Sequence, residues 1–222
     1  MSSRQPKRTK PKTREVIAIV ADVVRSRTSA DRVGLQKELV EMAEELNQMY
    51  GTGMVAKFEI SQGDSIAGLL NATGPALCEI AHELLTQRVP LRTVFSRGEV
   101  FDPISNSPAQ TDGPAWWQAR ESLDKCKKRY GHGPIFVGFG EQWDLILTAM
   151  GQSISERVRS WTLKQSEITL AKLELGQSAR VAAQLKLTPA QVSKTLAAIG
   201  YRSFQDMRDE FDALADIAIR SK

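Results

Sequence analysis

Val16-Ile17-Ala18-Ile19-Val20-Ala21-Asp22 is the run on which the fold turns. Its six apolar residues, mostly β-branched, are too continuous for a strand with one wet face and too few for an amphipathic helix. They predict a strand buried on both sides, closed by a carboxylate at its end. Outward from it, Asp31 is placed to cap a helix reaching Tyr50, with Leu35, Leu39, Met42, Leu46 and Met49 as its inner stripe. Residues 55–60 alternate as a half-buried strand does, Gly63-Asp64 makes a tight turn, and the next element follows at 66–70. A helix over 75–87, a strand over 91–100, a polar loop over 102–112, a helix over 114–130 and a strand over 134–139 complete the pattern. This alternation about a central hairpin predicts a ferredoxin-like α/β sandwich for residues 15–140. Only helical patterns occur beyond Gln142, which predicts an all-α domain over 141–222.

That second domain centres on residues 178–201, SARVAAQLKLTPAQVSKTLAAIGY. Val181, Ala182 and Leu185 share one side of a first helix. Thr188 offers a hydroxyl to cap a second, whose first residue, Pro189, lacks only an N–H that would have no partner there. Val192, Leu196 and Ile199 face inward, and Gly200 ends the helix. The layout resembles a helix-turn-helix, in which a braced helix offers side chains to base edges in the major groove. Lys186 stands at the turn position that is commonly Gly in that motif. No Asp or Glu occurs between Glu174 and Asp206, whereas Arg180, Lys186, Lys194 and Arg202 do, and an acid-free basic face suits a phosphate backbone. The expected DNA-binding set is therefore Gln191, Ser193 and Lys194 toward bases or phosphates, with Arg180, Lys186, Thr188 and Arg202 along the backbone. An ordinary helical hairpin inside a bundle shares the same apolar spacing.

Thirty bases against 26 acids leave a net charge of +4, compatible with nucleic acid. Much of the excess is local. Arg4, Lys7, Arg8, Lys10, Lys12 and Arg14 sit in residues 1–14 with no acid and two prolines, which predicts a disordered basic arm. That arm is either a solubilising tail or a phosphate contact. No long apolar run follows it and no segment is long enough to span a bilayer, so a cytoplasmic protein is expected. Cys78 and Cys126 stand singly, which predicts buried free thiols, and neither His82 nor His132 has a metal-ligand partner nearby in sequence. Trp116 and Trp117, side by side on one helix, point about 100° apart, so one at most enters a given pocket. The final stripe of Phe204, Met207, Phe211, Leu214, Ala215 and Ala218 predicts a helix that packs on the reader or forms a homodimer seam.

Three phrases occur in order: IAIVADVVRSR at the first strand, ISQGDSIAGLL at the hairpin, and LRTVFSRGEV followed by TDGPAWWQARESL. Together they resemble the SatD family of bacterial proteins, over most of the chain. They are also similar, more distantly, to class III nucleotide cyclases, in which one Asp ends the first strand and another sits in a Gly-Asp hairpin. Asp22 and Asp64 stand at those places. That resemblance implies a nucleotide-cyclase-like fold in which Asp22 and Asp64 hold Mg²⁺ with a nucleotide and Arg120 steadies transition-state charge. Arg25, Ser26 and Arg27, just past the strand, offer two guanidinium groups and a hydroxyl to phosphate. Trp116 stands where the cyclase helix carries Asn, and Ile60 where a purine-reading Lys would be. Read from the residues alone, Asp22 is a strand-end cap and Asp64 a turn residue. Two functions are therefore expected. One is a DNA-binding regulatory protein whose N-terminal domain senses a small ligand or holds a homodimer. The alternative is a metal-dependent nucleotide-binding or phosphoryl/nucleotidyl-transfer protein.

Overall fold

A computed structural model describes residues 11–24, 31–61, 63–72, 76–86 and 90–221. The basic arm up to residue 10, and Arg25, Ser26 and Arg27, lie outside the described residues. The apolar run becomes the middle of β1 (Thr13–Val23), which is central in a five-stranded sheet of order β2-β3-β1-β4-β5. β1 begins at Thr13, ahead of the expected boundary, because β4 (Leu91–Phe101) is long enough to pair it: Thr13 lies opposite Phe101 and Arg14 opposite Val100. On its other side β1 pairs antiparallel with β3 (Ser65–Asn71), from Val16 opposite Asn71 to Asp22 opposite Ser65. β2 (Met54–Ser61) flanks β3 across the Gly63-Asp64 hairpin.

Between β1 and β2 lies α1 (Arg32–Tyr50), capped by the Asp31 carboxylate, which accepts the Gly34 N–H at 2.7 Å. α2 (Ala76–Thr86) joins β3 to β4. The order β-α-β-β-α-β of these six elements is that of a ferredoxin-like unit. α3 (Pro114–Arg129) then leads to β5 (Gly133–Val137), which adds to the β4 edge in parallel.

Because β1 alternates faces, each of its sides feeds a different core. Val16, Ala18 and Val20 join Ala115, Trp116 and Ala119 of α3. Gly98 makes that approach close, since a Cβ there would stand 3.3 Å from the Ala115 backbone. Ile17, Ile19 and Ala21 join α1 and α2 on the opposite face. The α1 stripe is Leu39, Met42, Ala43 and Leu46; Met49, expected within it, is half-exposed on the last turn, where it lines a cleft.

The helices α4 (Glu141–Arg159), α5 (Leu163–Leu175), α6 (Ser178–Gln184), α7 (Pro189–Ala198) and α8 (Tyr201–Arg220) complete the chain. Their core does not stop at residue 140. One hydrophobic cluster holds Ile17, Phe95 and Phe136 of the sheet together with Leu147, Phe204 and Phe211 of these helices. Phe95 stacks on Phe136 at 4.6 Å, and Phe136 meets Phe211 edge-on at 5.6 Å. α8 thus returns to the sheet of its own chain, where buried Arg97 of β4 donates to the Ala218 carbonyl at 3.2 Å and pairs with Glu15 at 3.3 Å. Among the described residues no helix is long and apolar enough to cross a membrane.

Candidate functional site

The turn between α6 and α7 is built by backbone geometry. The Lys186 N–H donates to Ala183 and the Leu187 N–H to Ala182 at 2.8 Å, a paired closure that needs a left-handed residue between them. Lys186 supplies it at φ +53°, and among the described residues it is the one non-glycine with positive φ. α7 then starts on a reciprocal cap: the Thr188 hydroxyl accepts the Gln191 N–H while Gln191 Oε1 accepts the Thr188 N–H at 2.8 Å. This holds the Gln191 carbonyl oxygen at the helix start. Val192 and Leu196 turn inward, whereas Gln191, Ser193, Lys194 and Ala197 are exposed. Arg180, Lys186, Thr188 and Arg202 are exposed as well. At the far end of α7, Arg157 Nη2 from α4 donates to the Ile199 carbonyl at 2.7 Å and the Gly200 carbonyl at 3.3 Å. A Cβ on Gly200 would collide with that guanidinium, and Gly200 also holds a left-handed φ of +63°. Trp161 meets Phe204 edge-on at 4.8 Å beneath the same junction.

The second set of expected residues gathers at the end of β1. The Val23 N–H donates to the Asp64 carbonyl at 3.1 Å, so the hairpin turn and the strand end are adjacent. The Asp22 side chain, only 10% exposed, is already engaged. Its Oδ2 accepts Arg92 Nη1 at 2.9 Å and lies 3.5 Å from Lys127 Nζ, while Arg92 Nε is anchored on the Gly131 carbonyl. Arg120 stands apart from that carboxylate. It lines a small cleft of about 140 Å³ with Ser61 and Ser65 of the hairpin and Glu59 of β2. A Mg²⁺ ion at Asp22 would have to displace two cations, and among the described residues no group of three His, Cys, Asp or Glu side chains is placed to hold a metal. The arrangement does not fit the ion.

Sequence reasoning passed over Arg92, Lys127, Arg97 and Arg157. The available signal was the charge inside β4: an arginine within an apolar strand pattern must find a buried acceptor. The cysteines are buried free thiols. Burial pushes Cys78 up to about 12, with Asp212 and Asp216 adding to the effect, and Cys126 up to about 11. Of the adjacent indoles, Trp116 is in the core, donating to the Thr111 hydroxyl at 2.7 Å, and Trp117 is half-exposed against Phe101.

The SatD family profile matches residues 16–214, from the first core strand into the last helix. The chain belongs to the SatD family. Two solved structures similar to this SatD-family chain are both of a bacterial light-regulated adenylyl cyclase, at 14% identity and TM-scores of 0.43 and 0.42. Each match covers 60% of this chain and 45% of the cyclase chain, so the likeness spans less than half of those proteins. No curated protein matches the sequence.

Proposed function

We propose that this SatD-family protein binds duplex DNA through α6 and α7, used as a helix-turn-helix with α7 in the major groove. The observation that carries the reading is the outer face of α7. Its side chains are exposed, it contains no carboxylate, it carries Lys194, and it is flanked by Arg180, Lys186 and Arg202. Ser193, Lys194 and the Gln191 amide meet base edges or phosphates, and the flanking bases follow the backbone. Arg157 of α4 ties down the end of α7, and regulation of transcription is the role such a reader serves.

The test is binding of the full chain to a library of duplex fragments across a salt series. Each phosphate contact contributes a slope of about −0.9 to the dependence of log affinity on log salt, so the four bases give a steep fall. Lys194→Ala is expected to weaken binding and flatten that slope by about one contact. Absence of any salt-sensitive complex with duplex DNA would remove the reading.

A nucleotide-handling role is the second reading, favoured by the cleft that Arg120 shares with Ser61 and Ser65. On this reading Arg120 pairs with a phosphate and the Ser61 hydroxyl donates to it, the Ser65 hydroxyl being already given to the Ser61 carbonyl. Calorimetry with a nucleoside triphosphate should show heat that Arg120→Ala abolishes; no heat with the unaltered protein counts against it.

A further inference from the structure

The cap that starts α7 also settles what chemistry Gln191 can offer to a partner. Its Oε1 accepts the Thr188 N–H at 2.8 Å and the Thr188 hydroxyl at 3.0 Å, while that hydroxyl accepts the Gln191 N–H at 3.2 Å. Which end of the amide faces Thr188 is fixed by the donor opposite, because an NH₂ group there would meet an N–H instead of an acceptor. An amide oxygen has two lone pairs, and Thr188 takes both. What remains of this exposed side chain for recognition is the Nε2 amide, which only donates.

The rest of the outer face has the same character. Lys194 lies three residues on, on the same side of the helix, and carries donors alone. Ala190 and Ala197 offer neither donor nor acceptor, so among the exposed side chains of α7 only the Ser193 hydroxyl is left to accept.

In the major groove guanine sets two acceptors, O6 and N7, side by side, whereas adenine sets its N7 acceptor beside the N6 donor. A glutamine with a free amide matches adenine, accepting from N6 and donating to N7. Gln191 has no oxygen to give to N6, and against adenine it leaves one donor facing another. We infer that Gln191 selects guanine, its Nε2 donating to O6 and N7, and that its locked oxygen excludes the adenine edge. The inference rests on the DNA-binding reading and adds to it the base that α7 recognises. Freeing the oxygen for adenine breaks both bonds from Thr188 and uncaps α7, so the fold itself biases the choice.

The test is selection of duplexes from a randomised pool by the full chain at low salt, followed by titration of the selected duplex with each base pair exchanged in turn. At the pair whose preference Gln191→Ala abolishes, guanine is expected over adenine by about tenfold, the order of one bidentate base contact. 7-Deazaguanine, which lacks the N7 acceptor, should weaken binding there, and inosine, which has the major-groove edge of guanine, should bind as guanine does. Because Gln191→Ala also removes the cap, Gln191→Glu separates the two roles: it keeps an acceptor for Thr188 and has no donor. That variant should leave amide exchange in the first turn of α7 unchanged and lose the guanine preference. A guanine preference that persists in it would show a capping role alone and overturn the inference. Adenine at that pair, or base preferences that Gln191→Ala leaves untouched, would overturn it as well, with the DNA-binding reading still standing. Absence of any salt-sensitive duplex complex removes the two together.

Discussion

Lys186 holds a backbone conformation that glycine holds with less strain, and its side chain gains nothing visible within the fold by doing so. A left-handed L-residue costs about 1–2 kcal/mol, part of which glycine returns as chain entropy. Lys186→Gly is therefore expected to raise unfolding stability by about 1 kcal/mol in urea titration and, on the proposed DNA-binding reading, to weaken the salt-sensitive complex. A loss of stability would mean that the lysine side chain supports the turn. Asp22 presents the converse case, a carboxylate whose strand-end position was legible and whose partners were not. Arg92→Met strips its close partner and the anchor on Gly131, leaving only Lys127 at longer range. A destabilisation of about 3 kcal/mol is expected, as for a buried pair broken from one side.

At the scale of elements, α7 is held at both ends by different means. The reciprocal Thr188–Gln191 cap fixes its start, and Thr188→Ala should cost about 1 kcal/mol, with faster amide exchange in the first turn of α7. Arg157 fixes its end from α4. Arg157→Ala is expected to raise exchange at the α7–α8 junction without altering the sheet, a local change that exchange mapped by residue resolves. The caps were readable from sequence because they are contacts between near neighbours. Arg157 was not, because it reaches carbonyls 42 and 43 residues away.

For the whole molecule, the shared core implies that the sheet and the C-terminal helices unfold together. Tryptophan fluorescence and far-ultraviolet circular dichroism should report coincident denaturant transitions, whereas separate transitions would mark two independent domains. The buried thiols add a pH dependence of known sign. Cys78 and Cys126 titrate near 12 and 11 when folded but near the ordinary thiol value of about 8.5 when unfolded. Above that value the unfolded chain binds fewer protons than the folded one, so stability contributed by the protonated thiols is complete at neutral pH and is lost as pH climbs toward 11. Denaturant midpoints measured from pH 7 to pH 10 should fall, and Cys78→Ser or Cys126→Ser should flatten the fall.

The sequence alone determined what depends on short range. The two-sided apolar run made β1 central, periodicity set α1, α2, α3 and α7 within a few residues while leaving α4 and α5 undivided, and Asp31, Thr188, Pro189 and Gly200 marked helix ends because capping is decided within one turn. The acid-free surface of α7 was also legible, since charge and helical spacing are both written along the chain. Only the tertiary structure decided which distant groups meet. Asp22 is neutralised by Arg92, 70 residues on, and α8 folds back so that Phe211 fills the core beside Phe136. Those encounters follow from the order in which strands and helices stack, a choice made by burying the largest apolar area at once rather than by any single segment.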